Sequence, residues 1–237
     1  MDKKLLEKYY CSTKLDEIGV EGQNRLLSAH VLVVGAGGLA SSSLLYLSSS
    51  GVGHIGIVDD DVVSLNNLPR QVLYSEKDIG NKKVEVAKKK LEALNPDICV
   101  EIYPIRLNKD NAEEIISNYD IVLDCVDNFE TKFLINDICV KLQKPFVTAG
   151  VSDYKGQIMT YVPGISKDFK YIFDELPINI NPKDFDDDGV FPTAVGMISI
   201  IQDNEVLKYL LGFKNLLINK MLVVDTLEMN IKKIEIK

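Results

Sequence analysis

Short apolar runs alternate along the chain with longer segments in which apolar residues recur every three or four positions. The run HVLVVG at 30–35 is continuous and rich in β-branched residues, which is typical of a strand buried on both faces. Segment 81–94 instead carries apolar residues on one helical face and lysines on the other. It therefore predicts an amphipathic helix, which Pro96 prevents from continuing.

The same patterns predict the remaining elements in a regular order. Further helices are expected at 38–50, 110–117, 129–142 with Asn128 as its N-cap, and about 193–211; further strands are expected at 54–59, 99–105, 120–126, 145–151, 156–162, 220–227 and 231–237. This alternation predicts an α/β fold: a doubly wound, Rossmann-like, mainly parallel sheet with an antiparallel C-terminal extension. We expect one domain over 1–237, with a helical arm at 1–28 and a crossover loop at 163–189.

Composition narrows the class of protein. The chain has 237 residues, of which 46% are hydrophobic and 26% are charged, as in globular proteins that bury a full core. The net charge of −8 argues against a general binder of nucleic acid or anionic membranes, since both need a basic surface. No apolar run approaches the ~20 residues that span a bilayer, and MDKKLLEKYY lacks the apolar core of a signal peptide. We therefore expect a cytoplasmic protein.

The cysteines and histidines give no sign of a metal or redox motif. None of the four cysteines belongs to a C-x-x-C pair, which excludes a zinc knuckle and a thioredoxin-like motif. Cys99, Cys125 and Cys139 lie in apolar surroundings and are expected to be buried, whereas Cys11 has polar neighbours. Both histidines fall just before predicted strands, and we expect no chemistry from them.

A glycine-rich turn joins the first predicted strand to the helix that follows it. Gly35, Gly37 and Gly38 permit a tight turn there, let backbone N–H groups approach a phosphate, and direct the positive helix end at it. Asp59 ends the second strand, where a carboxylate can accept hydrogen bonds from ribose hydroxyls. The pattern predicts a nucleotide site, the alternative being a turn needed only for packing. A nicotinamide cofactor and ATP fit equally well so far.

The segment DDDVVSLNNLPRQV, residues 59–72, favours a triphosphate. Arg70 and Lys83 add two cations close to the glycine turn, and Asn67 adds an amide. A dinucleotide needs no such cluster, whereas a triphosphate carries more charge and has a bond to break. Lys83 also lies in a lysine-rich helix, so it could equally be a solvated surface residue. Asp127 follows the fourth strand and is well placed to hold Mg²⁺, which prefers carboxylates and phosphate oxygens.

The stretches VLVVGAGGLA, DDDVVSLNNLPRQVLYSEKDIGNKKVEVA and VLDCVDN resemble the MoeB/ThiF/HesA adenylyltransferases, relatives of ubiquitin-activating enzymes. The similarity runs from about residue 8 to 160 and resumes at GVFPTAVGMISIIQDNEVLKYLLG. The resemblance implies a single ThiF-like adenylation domain with an ATP and Mg²⁺ site formed by Gly38, Asp59, Asn67, Arg70, Gln71, Lys83, Asp127 and Asn128, to which we add Gly35, Gly37, Asp61 and Asn66.

The resemblance also implies a reaction. The C-terminal carboxylate of a ubiquitin-like sulfur-carrier protein, or of a small peptide, would attack the α-phosphate of ATP and release pyrophosphate. Arg70 and Lys83 would neutralise charge, Asp127 would hold Mg²⁺, and no general base is needed because the carboxylate is ionised at pH 7. Two alternatives stay open: a catalytically weak or inactive partner subunit that binds nucleotide, and a nicotinamide oxidoreductase.

Two departures from the family pattern concern cysteines. Many relatives bind a structural zinc through two C-x-x-C pairs, but the corresponding stretches here, FKYIFDELP and IKKIEIK, contain none, so we predict no zinc. Several relatives carry a cysteine in the crossover loop that takes up the activated substrate. Here the loop reads KDFDDDGVFPTAVG, which predicts direct transfer of the adenylate to a separate nucleophile. The aspartates of this loop are expected to be solvated.

The third departure lies in the N-terminal arm. Relatives send an arginine from this helix across a homodimer interface onto the neighbour's triphosphate, and the resemblance implies a homodimer here too. The aligned segment KYYCS places Cys11 where that arginine belongs. Either Lys8, Lys14 or Arg25 compensates, or a different partner subunit supplies the cation, or catalysis is slow.

Overall fold

A computed structural model describes residues 1–173 and 189–237, and its centre is an eight-stranded sheet of order β3-β2-β1-β4-β5-β6-β7-β8. The strands are β1 His30–Val34, β2 His54–Val58, β3 Cys99–Tyr103, β4 Ile121–Asp124, β5 Phe146–Ser152, β6 Lys155–Tyr161, β7 Lys220–Asp225 and β8 Asn230–Glu235. The first five are parallel, and the last three add on antiparallel. This confirms the predicted α/β architecture and its antiparallel C-terminal extension.

Nine α-helices accompany the sheet in the described residues. They are α1 Lys3–Lys8, α2 Tyr10–Thr13, α3 Gly19–Ser28, α4 Gly38–Ser49, α5 Lys83–Leu94, α6 Ala112–Ser117, α7 Phe129–Leu142, α8 Phe169–Ile172 and α9 Pro192–Leu211. The expected crossover loop contains the short helix α8, while its residues 174–188, with most of its aspartates, lie outside the described part of the chain. Over 1–173 and 189–237, no helix combines the length and apolar character that crossing a bilayer requires.

Local signals set the helix ends. The Asn128 side-chain oxygen accepts a hydrogen bond from the Thr131 N–H at 2.9 Å, so the predicted N-cap of α7 is confirmed. Helix α9 begins with Pro192, which has no N–H to leave unpaired, and is followed by its C-cap Gly212, whose φ of 77° is left-handed. These residues fix where α7 begins and where α9 begins and ends.

Two apolar layers enclose the parallel strands. One face of β1, through Val31 and Val33, packs with α4, α5 and α9, and the other, through Leu32 and Val34, packs with α6, α7 and α8. Each of these four side chains is at most 2% exposed. The continuous apolar run at 30–35 thus forms a strand covered on both sides, as predicted.

The cysteine predictions are partly confirmed. Cys125 and Cys139 are buried, and burial raises the pKa of both thiols well above the ordinary range. Cys99 is exposed, so its predicted burial is wrong. It is the first residue of β3, an edge strand of the sheet with a neighbouring strand on one side only.

Each histidine is the first residue of its strand. His30 opens β1 and His54 opens β2, and the parallel register stacks their rings with centroids 4.0 Å apart. Burial, together with the neighbouring His30, lowers the pKa of His54.

Asp203 of α9 is an unpaired carboxylate in the core. It is 2% exposed, and neither of its oxygens has a hydrogen-bond partner among the described residues. The nearby Ser43 hydroxyl bonds the Ser199 hydroxyl at 2.9 Å, and that hydroxyl in turn donates to the Leu39 carbonyl. Burial raises the pKa of Asp203 to about 7.

Asp203 should therefore make stability fall as pH rises. The Asp203 carboxyl loses its proton near pH 3.8 in the unfolded chain and near pH 7 in the folded chain. Its contribution to the free energy of unfolding is therefore most favourable below pH 3.8 and becomes less favourable as the pH rises to 7. We expect Asp203→Asn to exceed the wild type in free energy of unfolding at pH 8 by on the order of a few kcal/mol and to match it near pH 4. Denaturant titrations at pH 4, 6 and 8 measure this, with exposed Asp110→Asn as control; a pH-independent difference would contradict it.

Candidate functional site

The candidate site lies where the carboxyl ends of three neighbouring parallel strands meet. Strands β2, β1 and β4 are adjacent in the sheet, so the segments that follow them emerge side by side at one edge. The glycine turn follows β1, Asp59 follows β2, and Asp127 follows β4 by three residues. The strand order thus brings together groups that are far apart in sequence.

The glycine turn is packed too tightly for side chains at two of its positions. Gly35 has a φ of 92°, and a Cβ added there would lie 3.0 Å from the carbonyl oxygen of Cys125. A Cβ on Gly38, the first residue of α4, would lie 2.9 Å from Val195 Cγ1 and 3.5 Å from Arg70 Cγ. The turn therefore needs glycine for its backbone angle at one position and for close packing at the other.

Asp59 fastens the glycine turn to the end of β2. Its Oδ2 accepts a hydrogen bond from the Ala36 N–H at 2.7 Å, and its Oδ1 accepts one from the Asp61 N–H at 2.8 Å. Burial raises the pKa of Asp59, while the Ala36 bond and the charge of Lys83 oppose the rise. The prediction assigned Asp59 to a ribose, whereas the structure also gives it a part in shaping the turn.

Tyr74 bonds the backbone of the glycine turn, a contact that the sequence did not predict. Its hydroxyl donates to the Ala36 carbonyl at 2.8 Å, and burial together with the charge of Asp59 raises its pKa far above the ordinary range. No pattern in the sequence distinguishes this tyrosine from the other nine. Its partner is a backbone oxygen, which any residue at position 36 would supply.

Lys83 is buried, so its interpretation as a solvated surface residue is wrong. It is 4% exposed at the first turn of α5, and its Nζ lies 2.9 Å from Oδ2 of Asp61. Asp61 itself is exposed, with 69% of its side chain accessible. The pair places a cation and an anion beside Asp59.

The asparagine–arginine segment is held by its own hydrogen bonds. Asn66 Oδ1 accepts from the Ser64 hydroxyl at 2.6 Å and from Asn67 Nδ2 at 3.2 Å. The Asn67 carbonyl accepts from the N–H groups of Arg70 and Gln71 at 3.2 and 2.9 Å. Arg70 Nη1 donates to the Asn66 carbonyl at 3.0 Å, and the arginine stem lies over Gly38. The guanidinium is thereby placed beside the glycine turn.

Gln71 carries a buried acceptor beside the glycine turn. It is 3% exposed, and its Oε1 has no partner within the described chain. Its Nε2 would be 3.7 Å from a Cβ added to Gly37. An unsatisfied buried amide oxygen is costly, so this position favours a ligand or water that donates to it.

Asp127 and Asn128 differ in which side-chain atoms can bind a ligand. Asp127 is exposed and makes no hydrogen bond or ion pair with the residues that the structure describes, so its oxygens fit the hard ligands that Mg²⁺ prefers. Asn128 uses its oxygen to cap α7, which leaves its amide Nδ2 for a ligand. Asp59, Asp60 and Asp61 also bring one carboxylate oxygen each within 4.8 Å of one another, but Asp59 and Asp61 already have partners.

The N-terminal arm uses one of its candidate cations internally. Lys8 Nζ lies 2.8 Å from Asp97 Oδ2 and also donates to the Asn95 side chain, which binds it to its own chain. Lys14 lies over the Tyr10 ring at 5.1 Å. Arg25 is exposed and has no ion pair in the described ranges. Among the three residues predicted to replace the missing arginine, Lys8 is therefore the least available.

Comparison with known proteins identifies relatives along the whole chain. The model of the ThiF family matches residues 9–237. A sulfur carrier protein adenylyltransferase of Thermus thermophilus is 39% identical over 99% of this chain and 89% of its own length. A SAMP-activating enzyme E1 of Haloferax volcanii is 37% identical over 99% of this chain and 86% of its own length.

Solved structures give the same architecture. The crystal structure of E. coli MccB with MccA matches with a TM-score of 0.80 and 26% identity, covering 90% of this chain. This chain spans 65% of the length of that MccB chain. The two chains therefore share the same fold.

The tight contact at Gly38 yields a testable prediction. A methyl group there would lie 2.9 Å from Val195 Cγ1 and must displace it or the start of α4. We therefore expect Gly38→Ala to misplace the phosphate-binding turn and weaken ATP binding about tenfold or more. Gly196→Ala is a matched control, because a Cβ there would contact nothing nearer than Ser42 Oγ at 4.0 Å. Titration calorimetry with ATP measures both variants; equal affinities would contradict the packing argument.

Proposed function

The chain belongs to the ThiF family, and we propose that it is an ATP-dependent adenylyltransferase that activates the C-terminal carboxylate of a small carrier protein or peptide. The observation that carries the proposal is the gathering of two cations at the glycine turn: the Arg70 stem lies over Gly38, and Lys83 acts on Asp59, which bonds the turn at Ala36. The relatives support the substrate class, since they are named for a sulfur carrier protein and for SAMP, and MccB was crystallised with MccA.

The proposed reaction balances without an acid or a base from the protein. A carboxylate oxygen of the substrate attacks the α-phosphorus of ATP and forms a new P–O bond. The bond between the α-phosphorus and the bridging oxygen breaks, and pyrophosphate leaves with the electron pair. The product is an acyl-adenylate, and no proton has to be moved because the attacking carboxylate is already ionised.

The residues of the site would work through charge and alignment. Two anions must approach each other, so Arg70 and Lys83 would lower the repulsion and stabilise charge in the transition state. The N–H groups at the start of α4 would bind phosphate oxygens, helped by the helix dipole. Asn66, Asn67 and Gln71 would fix the nucleotide beside these cations, with Asp59 and Asp61 toward the ribose and Asn128 near the metal.

Asp127 would hold a Mg²⁺ ion. Mg²⁺ supplies positive charge to the phosphates when it is bound. Asp127 lies at the same edge as the glycine turn and has no competing partner among the described residues, which fits this role.

Two further features of the proposal concern the partner. No cysteine occurs in residues 163–189, so the adenylate would pass directly to a nucleophile on another molecule. We also propose a homodimer, on the strength of the family resemblance, and a cytoplasmic location. Zinc is not required by this mechanism, and its absence stays a prediction.

Pyrophosphate exchange tests the function. We expect exchange of labelled pyrophosphate into ATP in the presence of Mg²⁺ and a peptide that ends in a free Gly-Gly carboxylate, and none with the same peptide amidated at its C-terminus. Lys83→Ala and Asp127→Ala should each reduce the rate about a hundredfold or more, because each removes a charge that acts on the phosphates.

Lys90→Ala is the matched control for Lys83→Ala, since Lys90 lies on the same helix but is paired with Asp78. Nucleotide binding without exchange, across a panel of carrier proteins and peptides, would favour the inactive partner subunit. Binding of NAD(H) in place of ATP would favour the oxidoreductase. Normal exchange by Asp127→Ala would show that the metal assignment is wrong.

The position of Cys11 yields a second prediction for this function. If a pocket across the proposed dimer accepts an arginine, Cys11→Arg should preserve the exchange rate or raise it, because it restores a fixed positive charge near the triphosphate. Cys11→Ser is the control for loss of the thiol alone. A marked loss of exchange in Cys11→Arg, with the wild-type rate in Cys11→Ser, would mean that the pocket has a different shape.

A further inference from the structure

A buried ion pair joins the two elements on either side of the loop that carries Asp127, β4 and α7. Asp124 is the last residue of β4, and Lys132 projects from the first turns of α7. The Lys132 Nζ lies 2.9 Å from Asp124 Oδ2, and the two side chains are 9% and 2% exposed. Removing two charges from water is costly unless further hydrogen bonds satisfy them, so the surrounding contacts indicate what the pair does.

Every N–H of Lys132 has a protein acceptor. Besides Asp124, the ammonium donates to the Ala149 carbonyl at 2.7 Å and to the Thr148 hydroxyl oxygen at 3.4 Å. A lysine has three N–H groups, so none remains for a ligand. Lys132 therefore differs from Lys83, whose described partner is a single exposed carboxylate.

The Asp124 carboxylate is committed on both of its oxygens. Oδ2 accepts from Lys132 and, at 2.6 Å, from the Thr148 hydroxyl on the neighbouring strand. Oδ1 accepts from the backbone N–H of Val126 at 3.1 Å. Oδ2 is thus bound by buried side chains of the core, and Oδ1 binds the backbone of Val126, the residue before Asp127.

Two further bonds fix the same segment. The Cys125 N–H donates to the Val34 carbonyl at 2.9 Å, and Gln202 Nε2 donates to the Asp124 carbonyl at 2.7 Å. Asp127 stands between Val126 and Asn128, the N-cap of α7, and its side chain has no hydrogen bond of its own among the described residues. The placement of its carboxylate is therefore set by its neighbours.

We propose that Asp124, Lys132 and Thr148 are positioning residues that aim the Asp127 carboxylate through the bond from Val126 N–H to Asp124 Oδ1. Lys132 and Thr148 orient the Asp124 carboxylate and balance its charge, so that the loop stays in one conformation. The inference rests on the proposed function, because the value of that conformation is the metal role of Asp127. Groups that orient a metal ligand typically change metal affinity 10- to 100-fold when they are removed.

The first test needs neither metal nor nucleotide. Amide hydrogen exchange in the free protein should be at least tenfold faster at Val126 in Lys132→Met than in the wild type, and unchanged at Cys125, which bonds β1 instead. Lys208→Met is the matched control, because Lys208 pairs with the buried Glu205 and the Asn215 carbonyl, away from this loop. Wild-type exchange at Val126 in Lys132→Met would overturn the proposal.

The second test measures the metal. With α,β-methylene ATP present, we expect the dissociation constant of Mn²⁺ to rise at least tenfold in Lys132→Met and to stay within twofold in Lys208→Met. Affinity for the analogue without metal should stay within twofold in both. Unchanged Mn²⁺ affinity would overturn the proposal, whereas a wild type without pyrophosphate exchange would contradict the proposed function and leave the Val126 result standing.

Thr148 keeps the proposal testable if Lys132→Met does not fold. Thr148→Val has nearly the same shape but lacks the hydroxyl, so it should speed exchange at Val126 and weaken Mn²⁺ binding severalfold. Thr148→Ser retains the hydroxyl and should restore both to wild-type values. If Thr148→Val behaves like the wild type in both measurements, the three residues serve stability alone.

Discussion

The hydrogen bond from the Ala36 N–H to the Asp59 carboxylate joins the turn after β1 to the end of β2, and the rest of the site depends on it. Parallel strands deliver their carboxyl ends to one edge but do not fix the loops that leave them. Asp59 supplies that constraint on one side, and the hydrogen bond from the Cys125 N–H to the Val34 carbonyl supplies it on the other. Three strands are thereby locked together at the place where the nucleotide is proposed to bind.

Two kinds of lysine can be distinguished around this edge. Lys83 is buried yet has an exposed partner, so its charge can act on a ligand at modest cost. Lys132 is buried with all its donors used, so its charge acts on the protein alone. An adenylyltransferase needs both kinds. A lysine such as Lys83 can neutralise the charge of the phosphates, and a lysine such as Lys132 can keep nearby carboxylates in one position.

Much of the fold could be predicted from the sequence, because its signals are local. The apolar runs, the helical periodicity and the Asn128 cap each depend on a few consecutive residues, and they place the eight strands and helices α4–α7 and α9 within two residues. The helices of the N-terminal arm were not predicted one by one, and α8 falls in the predicted loop. The exposure of Cys99 could not be predicted, since an apolar run does not reveal which strand is outermost. The burial of Lys83, the contact of Tyr74 with Ala36 and the pairing of Asp124 with Lys132 also depend on packing between distant segments. Sequence reasoning named the chemical groups of the candidate site but not the contacts that hold them.

The attachment of the N-terminal arm has one more consequence. Lys4 and Lys8 both bond Asp97, and Tyr9 is buried with its hydroxyl against Asn95, so the arm lies fixed on the body of its own subunit. A flexible tail that reaches across to another molecule must first lose conformational freedom, which weakens the contact it makes. The short helix that bears Cys11 has already lost that freedom on folding. Whatever side chain stands at position 11 is thus held on a rigid support, and in the proposed dimer a single substitution there would act at nearly its full strength.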